Sequence, residues 1–185
     1  VSIFNRASEG EGNTFWQTAG TKAEIANSML DTQDAKDYFG SSLDSNQAFI
    51  EKIYQNTLNK TVEDDAAGIK FWVDALDSGM SRGEVVAGLI DAIESYKDST
   101  DAKTKAAYDQ FNNRVEVSDY MAKTVEKTPA DYATSTKFAT SGTTGLVVTN
   151  NASTVTTAKN SVQALTIDGK TFTLTTGVDT IPGTD

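Results

Sequence analysis

Two neighbouring aromatic pairs, Phe15-Trp16 and Phe71-Trp72, each follow a short acidic loop, Glu9-Gly-Glu11 and Glu63-Asp64-Asp65. The side chains suggest two chemistries. An aromatic face complements a pyranose ring, and clustered carboxylates can supply the six to eight oxygens that calcium takes. Simpler readings stand beside both. The tryptophans sit at corresponding positions next to a phenylalanine, which suits a buried repeat core, and either becomes the first candidate sugar platform if it is partly exposed. Neither acidic loop has the Asp-x-Asp-x-Asp-Gly order of an EF-hand, and acids ahead of a helix cap it and favour its dipole. Asn and Thr over 141–158 suit hydrogen bonding to sugar hydroxyls and suit a solvated linker equally.

Other chemistry is excluded by composition. The chain has no histidine and no cysteine among 185 residues. That removes Ser-His-Asp and Cys-His catalysis, Cys/His zinc sites and disulfides. A glycosidase pair could be drawn from the 26 acids, but no motif selects one. A net charge of -10 argues against nucleic acid, whose phosphates need a basic face. No stretch approaches the ~18 apolar residues of a membrane span. We therefore expect no catalytic residue, no nucleic-acid partner and no transmembrane segment.

The elements that would position these residues fall into two regions. Residues 1–140 hold 23 of the 26 acids, 14 of the 16 bases and both tryptophans. There Phe49, Ile50, Ile53, Tyr54 and Leu58 form one helical stripe, as do Val85, Val86, Leu89, Ile90 and Ile93. Residues 141–185 are rich in Thr, Val, Asn and Gly. Within them Val162–Thr176 places Asp168-Gly169 between two β-prone runs, which predicts a hairpin with a type I′ turn.

The helical region repeats. Phe4-Asn5-Arg6 parallels Leu58-Asn59-Lys60, Gly12 to Trp16 parallels Gly68 to Trp72, and Thr21 to Asp31 parallels Ser81 to Asp91. The offsets are 54, 56 and 60, growing only across loops. Thr21 with Glu24 and Ser81 with Glu84 predict capping boxes, and Asp64 or Asp65 an N-cap for the helix carrying Phe71-Trp72. By register the helix ending at Phe4 is expected to begin upstream of Val1. Tyr108, Phe111 and Val115 share a stripe that predicts a closing helix, and 130–138 a further short one. The expected architecture is mainly α. A helical domain over 1–140 carries repeats at 1–40 and 48–96 and a closing helix at 101–122, and a Thr-rich linker with a β-hairpin follows over 141–185.

Residues Ile53 to Lys60, Asp65 to Trp72 and Ser81 to Ile90 resemble the bacterial domain-of-unknown-function family 4214, which is related to phycobilisome linker domains. Phe111 to Tyr120 resembles a segment that often follows it. Ala7 to Trp16, and Met29 to Asp31 through Tyr38 to Gly40, are similar to the N-terminal region of Campylobacter surface-layer proteins. Phe172 to Asp185 resembles the linker into calcium-binding RTX repeats of Caulobacter-type surface-layer proteins. The resemblance implies an N-terminal module of a type I-secreted surface-layer protein outside the cell. Such a module anchors a self-associating lattice to lipopolysaccharide or another surface glycan, with Trp16 and Trp72 as candidate contacts. It implies no cofactor within this fragment and calcium for the full-length protein, with Asp179 and Asp185 candidate first ligands of a β-roll. Related modules in secreted RTX enzymes and adhesins make a structural or targeting domain the alternative, and the phycobilisome relatives an oligomerisation linker a third.

Overall fold

A computed structural model describes residues 1–125 and 132–167. The expected mainly-α character holds. Side-chain caps mark where many of the helices begin. Glu9 caps α1 (Gly10–Gln17), Thr32 caps α3 (Gln33–Phe39), Ser45 caps α4 (Asn46–Leu58) and Asp101 caps α7 (Ala102–Thr124). Both expected capping boxes form. Thr21 and Glu24 open α2 (Lys22–Leu30), and Ser81 and Glu84 open α6 (Arg82–Glu94). In α5 (Val62–Asp77) Thr61 and Asp64 cap a first turn, and the backbone then breaks at Asp65 (φ -156°, ψ 63°). Asp65 restarts the helix, because its Oδ1 accepts the N–H of Gly68 at 3.0 Å.

Corresponding residues of the two stretches take corresponding geometry. Asn5 and Asn59 both have left-handed backbones (φ 48° and 54°), and each amide closes on a carbonyl four residues earlier. α2 and α6 run antiparallel, with Lys22 Nζ 2.7 Å from Asp91 Oδ1 at one end. Asn27 Oδ1 accepts the N–H of Gly83 at 2.8 Å at the other. A Cβ on Gly83 would collide with the carbonyl of Ala23, its own counterpart in the first stretch. A second counterpart contact joins Asn56 Nδ2 to the carbonyl of Ser2 at 3.2 Å. Contacts between corresponding residues are the signature of an approximate two-fold, as at an isologous dimer interface. The two stretches enclose a first core that includes Phe49, Ile50, Ile53, Ile69, Val85, Val86, Leu89 and Ile93.

A second core lies on the far end of α7. Val117 and Met121 meet Ala7, Phe138, Leu146, Val148, Val155, Ala158 and Val162. Helix α8 (Tyr132–Ser135) leads into a two-stranded parallel sheet, in which β1 (Phe138–Ala139) pairs with β2 (Leu146–Val147). Gly145 permits that tight return, with φ +76° and no room for a Cβ beside the carbonyl of Lys137. The N-terminal segment joins the same layer through Phe138 N–H to Asn5 O (2.8 Å) and Ala7 N–H to Thr136 O (3.0 Å).

The C-terminal region departs from expectation. Val162–Ile167, expected as the first strand of a hairpin, is the end of helix α9 (Ser153–Ile167). Val155, Ala158 and Val162 recur at three and four residues and are buried against α7. That packing carries the helix through Val162 and overrides the strand preference of Val162, Thr166 and Ile167. The expected turn and second strand lie outside the described residues. Part of the stretch expected as linker forms β2 and the first turns of α9.

Phe111 of α7 lies in the first core with Tyr108 packed against it, as their stripe predicts, but the third member of that stripe faces outward. Val115 is 41% exposed, while Arg114 is 1% exposed. Arg114 Nη1 donates to Asn56 O (2.9 Å) and Asn5 Oδ1 (3.3 Å), and its Nε points at Val148 O (3.5 Å). None of these acceptors is a carboxylate. Burial pushes the guanidinium down to about 10, so it stays charged at neutral pH. Arg114→Leu should cost about 3 kcal/mol, because it strands buried acceptors on three segments. The check is the urea midpoint, followed by tryptophan fluorescence.

Candidate functional site

The aromatic pairs are built twice by one local design. Glu9 Oε1 accepts the N–H of Gly12 at 2.7 Å, as Asp65 Oδ1 accepts that of Gly68. A Cβ on either glycine would strike its capping carboxylate. One turn later the rings of Phe15 and Trp16 lie 5.0 Å apart at 80°, and those of Phe71 and Trp72 4.9 Å apart at 83°. This edge-to-face geometry is a favoured arrangement for two aromatic rings.

The outward ring is the phenylalanine in both copies. Phe15 is 64% and Phe71 63% exposed, whereas Trp16 and Trp72 are half-buried. Trp72 packs against the first core, and a Cβ on Gly88 of α6 would lie 3.0 Å from its indole. Trp16 belongs to neither core cluster. The sequence carried the signal for this arrangement. Ile69, Trp72 and Leu76 are spaced three and four apart, and Phe71 falls out of that phase. Beside Phe15 an open groove of about 630 Å³ runs between α1 and α7, lined by Gly10, Glu11, Thr14, Ala122, Lys123 and Val125.

The acidic loops are committed to the helices they precede. Besides the two glycine caps, Asp64 Oδ2 accepts the Thr61 N–H at 2.9 Å and Glu63 Oε2 the Thr61 hydroxyl at 2.6 Å. Among the described residues no group of three or more acidic side chains could hold a metal ion. Glu9, Glu63, Asp64 and Asp65 each commit an oxygen to a backbone or hydroxyl proton at a helix start. Asp179 and Asp185 lie outside the described residues. The side chains of Thr149, Asn151 and Thr154 are likewise engaged. Thr149 Oγ1 accepts from Asn151 N–H, Asn151 Oδ1 from Ser153 N–H, and Thr154 Oγ1 from Thr149 N–H. They shape the turn that leads into α9.

Two measurements follow from these placements. Trp72→Ala should cost about 3 kcal/mol and Trp16→Ala about 1 kcal/mol in urea unfolding, because only the first leaves a gap in a core. The second is acid sensitivity. Glu24, Glu84 and Asp64 are held below their ordinary values of 4.5, 4.5 and 3.8, chiefly by the backbone N–H groups of Thr21, Ser81 and Thr61. Folding depresses these carboxyls, so their contribution is complete above the ordinary values and drains as pH falls through the lowered ones. The urea midpoint should therefore fall on acidification below those ordinary values, and Glu84→Gln should remove one carboxylate's share of that slope.

Residues 26–98 match the family described as "Domain of unknown function (DUF4214)". That stretch runs from within α2 through α6 and contains Phe71-Trp72, but neither Phe15-Trp16 nor Arg114. No curated protein and no solved structure matches the chain. The likeness to this family extends over residues 26–98 of the 185.

Proposed function

We propose that this chain is a noncatalytic cell-surface module that holds a secreted, surface-layer-type RTX protein to envelope lipopolysaccharide or polysaccharide. The observation that supports the reading best is the pair of exposed phenylalanine rings, each braced edge-to-face by a half-buried tryptophan. A rigid aromatic platform of this kind binds a sugar face at low entropic cost, because the rings are already fixed before contact. The resemblance of Ala7 to Trp16 to surface-layer N-termini points the same way, and the RTX-like tail adds secretion and calcium-dependent repeats downstream. In this reading the chain carries no catalytic residue, works outside the cell, and leaves lattice self-association to the rest of the protein.

The test is retention of the purified chain on immobilised smooth lipopolysaccharide, against O-chain-deficient lipopolysaccharide, with calcium and with chelator. Retention on the smooth form alone, independent of calcium, is expected. Equal behaviour on both forms would sink the anchoring function.

A further inference from the structure

We infer that Arg6 and Lys137 form a seat for an anionic group, a carboxylate or a phosphate, carried by the envelope glycan. This rests on the reading that the partner is a glycan and goes beyond it in naming the group recognised and the residues that take it. Arg6 and Lys137 stand directly opposite each other across the antiparallel bridge that joins the N-terminal segment to the start of β1. The flanking bonds, Ala7 N–H to Thr136 O and Phe138 N–H to Asn5 O, make them a non-hydrogen-bonded pair. In such a pair the facing side chains start closest, with Cα atoms ~4.5 Å apart. Ala7, Thr136 and Phe138 are buried, so the two cations lie on the outer side, Arg6 half-buried and Lys137 exposed. Like charges placed this way destabilise a strand pair, and an anion between them relieves the repulsion.

Neither cation has a carboxylate. Among the described residues no ion pair includes Arg6 or Lys137, and the nearby acids Glu9, Asp34 and Asp37 of α3, and Glu51 of α4 pair with neither. The two copies of the repeat diverge at this point. Arg6 corresponds to Lys60, and Glu9 to Asp65. Lys60 Nζ lies 4.0 Å from Asp65 Oδ2, whereas the first copy has no such pair. Its guanidinium instead rests on two rings, 4.8 Å from the centroid of Phe4 and 4.6 Å from that of Tyr132. The Tyr132 ring is itself held, since its hydroxyl donates to Ala7 O at 2.7 Å and accepts the Glu9 N–H at 3.0 Å. Ring faces position a guanidinium without neutralising it. The planar fork so placed matches a carboxylate or phosphate bidentately, and Lys137 adds a second charge.

The experiment follows the Arg6 Nε–H resonance of the isotope-labelled chain during titration with sodium glucuronate, inorganic phosphate or glucose, at an ionic strength held constant with chloride. Saturable shifts with glucuronate or phosphate and none with glucose are expected, and the anion that binds more tightly names the group. Arg6→Lys, which keeps the charge but loses the fork, and Lys137→Gln should each weaken that binding about tenfold. Both should also reduce retention on smooth lipopolysaccharide, with unchanged urea midpoints showing intact folding. An Arg6 resonance that no anion moves, or retention that neither substitution alters, overturns the seat while leaving anchoring intact. So does an Arg6 resonance displaced in the free chain by Asp131→Asn or Glu126→Gln, because an internal carboxylate then occupies the fork; both acids lie outside the described residues. A chain whose Arg6 answers to anions but which no lipopolysaccharide retains is the separate failure of the anchoring function.

Discussion

A buried guanidinium without a carboxylate holds this molecule together. Arg114 reaches Asn56 at the end of α4, Asn5 in the N-terminal segment and Val148 just after β2. Its partners are amide oxygens, whose partial charges disperse the cation without a second ion to desolvate. The neighbouring polar residues on the same face of α7 do related work. Asn113 donates to Thr149 O (2.8 Å), and Ser118 Oγ accepts the N–H of Ser8 (2.9 Å). α7 is thus a polar seam between two apolar cores, and it fixes how the helical repeats and the C-terminal layer face each other.

Much of the repeat region could be read from the chain alone. Capping boxes at Thr21 and Ser81 are local chemistry, complete within four residues, and so the sequence displays them whole. The asparagines at 5 and 59 and the glycines at 12 and 68 recur because each meets one backbone demand. What could not be read is what depends on distant partners. Arg114 looks like a surface residue until the carbonyls from three other segments are in place, and only Val115 of the Tyr108-Phe111-Val115 stripe is left facing outward. α9 is a similar case, because its threonines favour a strand and only the floor offered by Val117 and Met121 makes the Val155-Ala158-Val162 spacing decisive. At the candidate site the aromatic pairs were visible, but which ring faces outward was decided by the phase of Ile69 and Leu76.

The acidic character also acquires a structural reading. Glu9 and Asp101 ahead of α1 and α7 accept helix N–H groups, and Glu24, Asp64 and Glu84 in the first turns of α2, α5 and α6 accept the N–H of the residue that caps each helix. These acids mark where the helices begin.

The pairing of Asn5 with Phe138 and of Ala7 with Thr136 joins positions 133 and 129 residues apart. Closing so long a loop is entropically costly and is repaid only once α7, β2 and α9 are present to cover it. The first core, built mostly from contacts within residues 26–111, has no such wait. A chain emerging from its N-terminus can therefore assemble the helices of residues 26–111 early, with Ser2 and Ile3 tied to Asn56, while the bonds of Asn5 and Ala7 to Phe138 and Thr136 wait for the C-terminal layer. The N-terminal segment is then held from both sides, by Asn56 of the first core and by the layer that α7, β2 and α9 complete.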